Sequence, residues 1–433
     1  MTPQTTIMVL APIKDGQIEP LRSLLAGMNT RPGFADPNNA LLPFRRLERV
    51  HVARLFVLTF PAWRDIEVHG ETPRAFPPSL VLLCDIDGDR ASFFDDLVQI
   101  AAPGLRRLFG HCQDFPETGD LTSWLRARNV VEAANYVNMR GRTVRQVHEE
   151  AALHNALSAR LPQAVADHGK DDPAKLYDAL VAHVREEQSQ GRLPLTAPTP
   201  TPALWFMREV AHLILVPLGL ILISPLVLIA LPFLYLRLRA LETSDPEVLP
   251  RPDTADIVAF SAMEDHDITN PFSAAGDVKP GAFRRNAASF FLYLLDYSAR
   301  HVFGRGYLTR VKTIHFARWV FLEDKRRMLF CSNYDGSLES YMDDFINKVA
   351  WGLNLVFSNG VGYPATRNLV KGGAEQEEKF KRFLRRHQIK TDVWYKAYPG
   401  LTAFQLAENS RIRQGLERRP LGDAGLRDWL ARL

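Results

Sequence analysis

The sequence predicts an α+β protein: two tandem βαββαβ units, the ferredoxin-like order, with an apolar membrane hairpin inserted between them. Two observations carry this. The chain states much of itself twice, and a long uncharged segment separates the two statements. His51-Val-Ala-Arg-Leu-Phe-Val-Leu58 returns as His315-Phe-Ala-Arg-Trp-Val-Phe-Leu322. Positions 87–116 align without a gap on 335–364, and 124–157 on 383–416; over these three blocks 22 of 72 positions are identical. Identity in the same order at so long a period marks a duplicated domain, not a short-repeat solenoid.

In the first copy, 6–12 reads as an apolar strand and 17–28 carries a helical pattern. Positions 50–60 and 80–86 are rich in Val, Leu and Phe and read as strands. Segment 91–109 is helical, with Phe94, Leu97, Val98, Leu105 and Leu108 on one face. Strand 130–137 follows, then helix 143–157 with Thr143 at its N-cap. The second copy repeats the order: strand 256–263, helix 283–303, strands 314–322 and 327–334 joined through Glu323-Asp324-Lys325, helix 337–356, an added helix 375–387, strand 391–398 and helix 402–415. The resulting division is 1–160 for the first repeat, 161–203 for a helical and proline-rich linker, 204–240 for the apolar segment, 241–254 for a second proline-rich linker, 255–420 for the second repeat and 421–433 for a tail. Within the linkers, 173–190 is helical, whereas 194–202 and 246–252 are stiff, extended spacers.

The run from Leu213 to Leu236 holds 24 residues without a charge, long enough to cross a bilayer. Pro217, Pro225 and Pro232 interrupt it, and each interior proline removes a backbone hydrogen bond. If the two repeats form one pseudo-symmetric unit, both ends of the run lie on one side of the membrane. The expectation is therefore a bent, re-entrant or in-plane hairpin turning near Pro225. Arg208, Arg237 and Arg239 flank it, which places both repeats on the cytoplasmic side of a lipid bilayer.

Composition narrows the function classes. A net charge of +4 over 433 residues, with basic residues spread along the chain, gives no footprint for nucleic acid. Cys84, Cys112 and Cys331 lack metal spacing and are odd in number, which speaks against a disulfide framework. No P-loop, dinucleotide fingerprint, zinc-protease motif or nucleophile elbow is present. What remains is the repeated His-x-Ala-Arg at a strand start, and Asp-Gly at a strand end in Cys84-Asp-Ile-Asp87-Gly88 and Ser332-Asn-Tyr-Asp335-Gly336. With two-residue alternation His315 and Arg318 point to opposite faces unless a bulge intervenes. The structural reading has the histidines satisfied by backbone, the arginines paired with carboxylates, and Asp-Gly serving as turn and helix cap. The functional reading makes Asp335 a proton shuttle at a cavity mouth. The second copy is richer in polar and aromatic residues, among them Asn333, Tyr334, Trp394 and Tyr398, and is the better place for a ligand site.

On these features the chain resembles the dimeric α+β barrel superfamily, in which two ferredoxin-like units pack sheet against sheet. Among its tandem members are the dye-decolorising peroxidases, whose Gly-x-x-Asp-Gly signature Asp335-Gly336 and Asp87-Gly88 resemble at its end; Ser332 and Cys84 stand at its first glycine. The His-Phe-Ala-Arg-Trp and Asn-Tyr-Asp-Gly-Ser stretches are also similar to uncharacterised bacterial membrane-associated proteins. The resemblance implies one intramolecular α+β barrel, and a membrane-anchored, haem-dependent peroxidase-like oxidoreductase acting on an apolar or lipid-derived substrate. In that reading Asp335 or His315 moves protons and Arg318 stabilises negative charge. His301, His315 or His387 holds the iron, and Tyr334 and Asn333 line the cofactor. The alternative is a non-catalytic module binding a lipid or a partner protein at the membrane surface.

Overall fold

The computed structural model describes residues 1–248, 250–303, 308 and 310–433; Leu249, in the expected spacer 246–252, and positions 304–307 and 309 lie outside the described residues. The first half runs β1 (Gln4–Pro12), α1 (Ile18–Ala26), β2 (Val50–Leu58), β3 (Ser79–Asp87), α2 (Arg90–Phe109), α3 (Leu121–Ala127), β4 (Ala134–Val137) and α4 (Val144–His168). Next come α5 (Pro173–Ser189), α6 (Ala203–Ser244) and α7 (Thr254–Ser261). The second half runs β5 (Thr269–Asp277), α8 (Ala282–His301), β6 (Ile314–Leu322), β7 (Arg327–Asp335), α9 (Leu338–Phe357), α10 (Glu377–His387), β8 (Val393–Lys396), α11 (Ala403–Glu417) and α12 (Gly422–Leu430).

The duplication extends to local geometry. Ala101 in α2 and Val349 in α9, matched by the sequence repeat, are both kinked out of helical conformation, at φ −129° and −143°. Pro103 accompanies the first kink; the second has no proline, so packing imposes it. Thr143 with Gln146, and Thr402 with Gln405, form matching capping boxes. Both copies carry an irregularity at the strand start, between Val50 and Val52 and between Ile314 and Phe316. The β6–β7 turn bends through Glu323, Asp324 and Lys325, all at positive φ.

Two expectations need correction. Segment 256–263 is α7, a helix capped by Asp253, and the first strand of the second half is β5. Its Asn270-Pro271 and small residues lack the apolar alternation of a strand, but β5 stands at the edge of its sheet, where only β7 pairs along its full length and a proline is tolerated. The apolar segment makes no hairpin: α6 is one helix of 42 residues, about 63 Å long at 1.5 Å per residue, and it runs through Pro225. Two of the carbonyls freed by its three prolines find other donors. Pro217 frees Leu213 O, which accepts from the Tyr297 hydroxyl at 3.0 Å, and Pro225 frees Ile221 O, which accepts from Ser224 Oγ at 2.7 Å.

Two four-stranded antiparallel sheets form the body, in the orders β1–β3–β2–β8 and β5–β7–β6–β4. Each half thus gives its last strand to the other's sheet: Val393 to Lys396 pair with Leu55 to Val52, and Ala134 to Val137 with Trp319 to Phe316. Just before crossing, each chain touches its own first strand, through Val130 N–H to Met8 O (2.8 Å) and Ile389 N–H to Ser273 O (2.8 Å). The sheets are therefore joined at both edges. Every residue of β2, β3 and β7 is buried, because one face meets helices and the other meets the opposite sheet. Met8, Phe56, Val81 and Leu83 meet Ala275, Val320, Leu329 and Cys331 between the sheets. Leu21, Phe94, Leu105 and Leu125 cover the outer face of the first sheet. Leu292, Met342, Phe345 and Phe380 cover that of the second.

Helices α4 and α11 pack together, joined by His154 Nδ1 and Asn409 Oδ1 at 2.8 Å and by Arg413 and Glu149 at 3.5 Å. The segment 421–433 is not a bare tail: α12 sets Leu426 and Trp429 against Tyr177 and Leu180 of α5. On α4, burial pushes the Glu150 carboxyl up to about 7, opposed by Arg142 3.0 Å away. A raised carboxyl favours the protonated native state, so this stability is present below the ordinary glutamate range and fades as pH rises to about 7. Glu150→Gln is therefore expected to gain stability relative to the parent between about pH 4.5 and 7, read from urea midpoints. The exchanged strands make a second expectation: fragments 1–200 and 246–433 stay unfolded alone and regain near-UV dichroism when refolded together. An independently folded fragment would contradict this.

Candidate functional site

At one end of the space between the sheets the repeated His and Asp meet. His51 Nε2 lies 2.9 Å from Asp87 Oδ1, and His315 Nε2 lies 2.6 Å from Asp335 Oδ1. The bulges that follow Val50 and Ile314 turn each histidine toward the carboxylate of the neighbouring strand. Each Asp spends its second oxygen on a helix N-terminus: Asp87 Oδ2 accepts from Val144 N–H (2.9 Å) and Asp335 Oδ2 from Ala403 N–H (2.6 Å). The expected cap is thus relocated. Asp87 caps α4, far along the chain, while Asp89 caps α2 through Ser92 N–H.

Outside that shared core the copies differ. His51 Nδ1 is 3.0 Å from the Tyr398 hydroxyl, and Gln4 Nε2 is 3.1 Å from His51 Nε2. In the second copy the Thr269 hydroxyl donates to Asp335 Oδ1 at 2.9 Å. Burial, with Asp87, Asp85 and Asp335 nearby, holds the Tyr398 hydroxyl well above the ordinary tyrosine range. The first dyad touches this phenol directly, through His51 Nδ1.

Deeper between the sheets lie Arg54 and Arg318, each 0% exposed. Arg318 pairs with Asp85 of the other half at 2.5 Å, and Thr6 Oγ1 donates to the remaining Asp85 oxygen at 2.7 Å. Arg54 instead donates to neutral groups: Phe272 O (2.9 Å), Ser273 Oγ (3.0 Å) and Ser332 O (2.8 Å). Its guanidinium also stands 5.1 Å from the Trp394 ring. Burial lowers the Arg54 pKa to about 10. Asp85 was not singled out from the sequence, although its place two residues before Asp87 puts both on one face of the strand.

The expected site residues occupy five places. His315 and Asp335 form a dyad, whereas Arg318 and Asn333 lie deeper between the sheets. Tyr334 points outward, stacked on Tyr341 at 4.1 Å under α9. His301 lies against α6, its Nε2 2.8 Å from His212 Nδ1. His387 is buried on α10, with Nδ1 2.8 Å from Phe383 O and its ring 4.3 Å from the Phe383 ring.

These residues do not fit a haem. The three candidate axial histidines share no cavity and each is engaged elsewhere. The voids beside His387 measure about 60 and 30 Å³, against about 300–1,000 Å³ for a pocket that encloses a ligand of that class. Among the described residues no group of three His, Cys, Asp or Glu side chains gathers at metal-binding distance.

The dyads clamp a strand end to a helix start in each half. Removing Asp87 or Asp335 leaves a buried histidine and a helix amide without their acceptor, so Asp87→Ala and Asp335→Ala are each expected to lose about 3–5 kcal/mol. Asp343→Ala, at a half-exposed position of α9 where the carboxylate pairs with Lys381 at 2.8 Å, is expected to lose no more than about 1 kcal/mol. Denaturant unfolding checks both. Comparison of the chain with protein-family models, with curated proteins and with solved structures finds no match.

Proposed function

We propose that the protein is a monotopic membrane module that binds a lipid or a protein partner at the cytoplasmic membrane surface, with α6 as an in-plane anchor. The observation that carries this is α6 itself. Its most apolar window has a mean hydropathy of 2.8 and none of that window is buried. Leu222, Leu226, Ile229 and Phe233 each expose about 70% of their surface. Such a surface calls for an apolar medium.

Both ends of the helix are held by the same body. Near its start Glu209 pairs with Arg140 (3.3 Å) and Arg300 (3.6 Å), and Tyr297 binds Leu213 O. Toward its end the Tyr235 hydroxyl is 3.2 Å from Asn368 Oδ1. Glu242 accepts from Asn368 N–H (2.9 Å) and Leu369 N–H (2.8 Å). Past the last turn, Asp245 pairs with Lys279 (2.7 Å) and Arg284 (2.5 Å). Leu213 and Tyr235 are 22 residues apart, about 33 Å along the axis. A helix fastened to one body at both points lies along it, which supports an in-plane position in place of a span. Phe290 and Tyr293, half exposed on the α8 face that carries Tyr297, supply aromatic rings suited to a membrane interface.

In this reading the two edge-joined sheets are the halves of a tandem ferredoxin-like barrel, filled with side chains, and recognition belongs to its membrane-facing rim. The buried dyads serve as scaffold. Single cysteines at Pro202 and Thr243 are expected to react with an impermeant reagent from the same side of sealed vesicles; labelling from opposite sides would sink the in-plane anchor. Leu226→Lys places a charge in the apolar run, at about 2.5–3.5 kcal/mol on an insertion scale, and is expected to reduce vesicle flotation markedly.

A further inference from the structure

The two-fold repeat exposes a missing charge. The sequence alignment matches Arg54 with Arg318 and Asp85 with Asn333. Arg318 of the second half reaches across the inter-sheet space to Asp85 of the first. By the same operation Arg54 should reach a carboxylate at position 333, and there the chain carries an amide.

Asn333 is fully buried, and its orientation is fixed: Oδ1 accepts from Phe316 N–H at 2.8 Å. That bond turns the NH2 end away, and Nδ2 has no acceptor among the described residues. Arg54 Nε is likewise without one, as are Arg318 Nε and Nη1. Buried donors are rarely left in this state. Asn135 Oδ1 is an acceptor still free nearby, on the strand paired with Arg318, and it is neutral. Arg318 thus has a carboxylate and Arg54 contacts only neutral acceptors, in an interior whose apolar lining includes Phe56, Leu83, Val320 and Leu329. The other carboxylates between the sheets, Asp87 and Asp335, are engaged with their histidines and helix amides. A water molecule could accept the free hydrogen bonds but would leave the Arg54 guanidinium among neutral contacts alone, and a buried charge without a contacting counter-charge is far costlier than an unpaired dipole.

We infer that a small monovalent anion of the chloride class binds between the two sheets, held by Arg54 Nε and Asn333 Nδ2, in the role that a carboxylate at position 333 would fill. This holds irrespective of how the protein meets a membrane. It makes the interior a halide site and folding an anion-dependent process, because a ligand that binds only the native state stabilises it.

The full-length protein in mild detergent is melted at constant ionic strength while sodium gluconate is exchanged for sodium chloride or bromide. A saturable rise in Tm of about 2–4 °C with either halide is expected; equal midpoints in halide and gluconate would overturn the site. Asn333→Asp supplies the missing carboxylate, so its midpoint in gluconate should match the parent's in chloride and its halide response should vanish. A parent-like response in that variant counts against the proposal. Cys331→Ser, which removes the buried thiol near Arg54, should respond as the parent does; a halide response clearly larger in this variant than in the parent would assign the parent's counter-charge to that sulfur and overturn the anion. Should a variant fail to fold, crystals of the parent grown in bromide decide the matter. An anomalous peak within hydrogen-bond reach of Arg54 Nε and Asn333 Nδ2 supports the site, and its absence removes it.

Discussion

The exchange of the fourth strands is the constraint on which the rest of the structure depends. β4 completes the second sheet and β8 the first, so neither half can bury its own edge. This forces the two sheets face to face, gives each an apolar inner surface and leaves no residue of β2, β3 or β7 at solvent. It also brings His51 and Tyr398, nearly the whole chain apart, within hydrogen-bond distance. The folding unit is therefore both halves together, with the 42-residue helix as their covalent connection.

That helix follows from the same constraint. A connection between halves that share strands must leave and return on one body, and α6 is tied to it near both ends by Glu209 and by Glu242. Its three prolines suggested a turn, yet a proline removes one hydrogen bond and a turn must remove several. Where Tyr297 and Ser224 supply donors to the freed carbonyls, continuing the helix is the smaller disturbance.

The polar groups between the sheets divide into two kinds. The His–Asp dyads are complete: each carboxylate has a ring nitrogen and a helix amide, so the residues that most invite a catalytic reading are the best satisfied. The arginine pair is incomplete, because one copy kept Asp85 and the other carries Asn333. Duplication makes such a gap visible, since the partner copy shows what a balanced arrangement looks like.

The sequence by itself determined the duplication, the α+β character, most element positions and the uncharged run, because these rest on local periodicity and on identity between copies. Thr143 as an N-cap and the 323–325 turn were legible for that reason. Strand β5 was not, since an edge strand of Asn, Pro, Ser and Ala carries no apolar alternation. Nor was the pairing of Arg318 with Asp85, or the clamp from Asp87 to Val144, because both join residues that only the crossing of β4 and β8 brings together. Tertiary structure alone decided that α6 runs unbroken, for the donors that mend its carbonyls include one on a different helix.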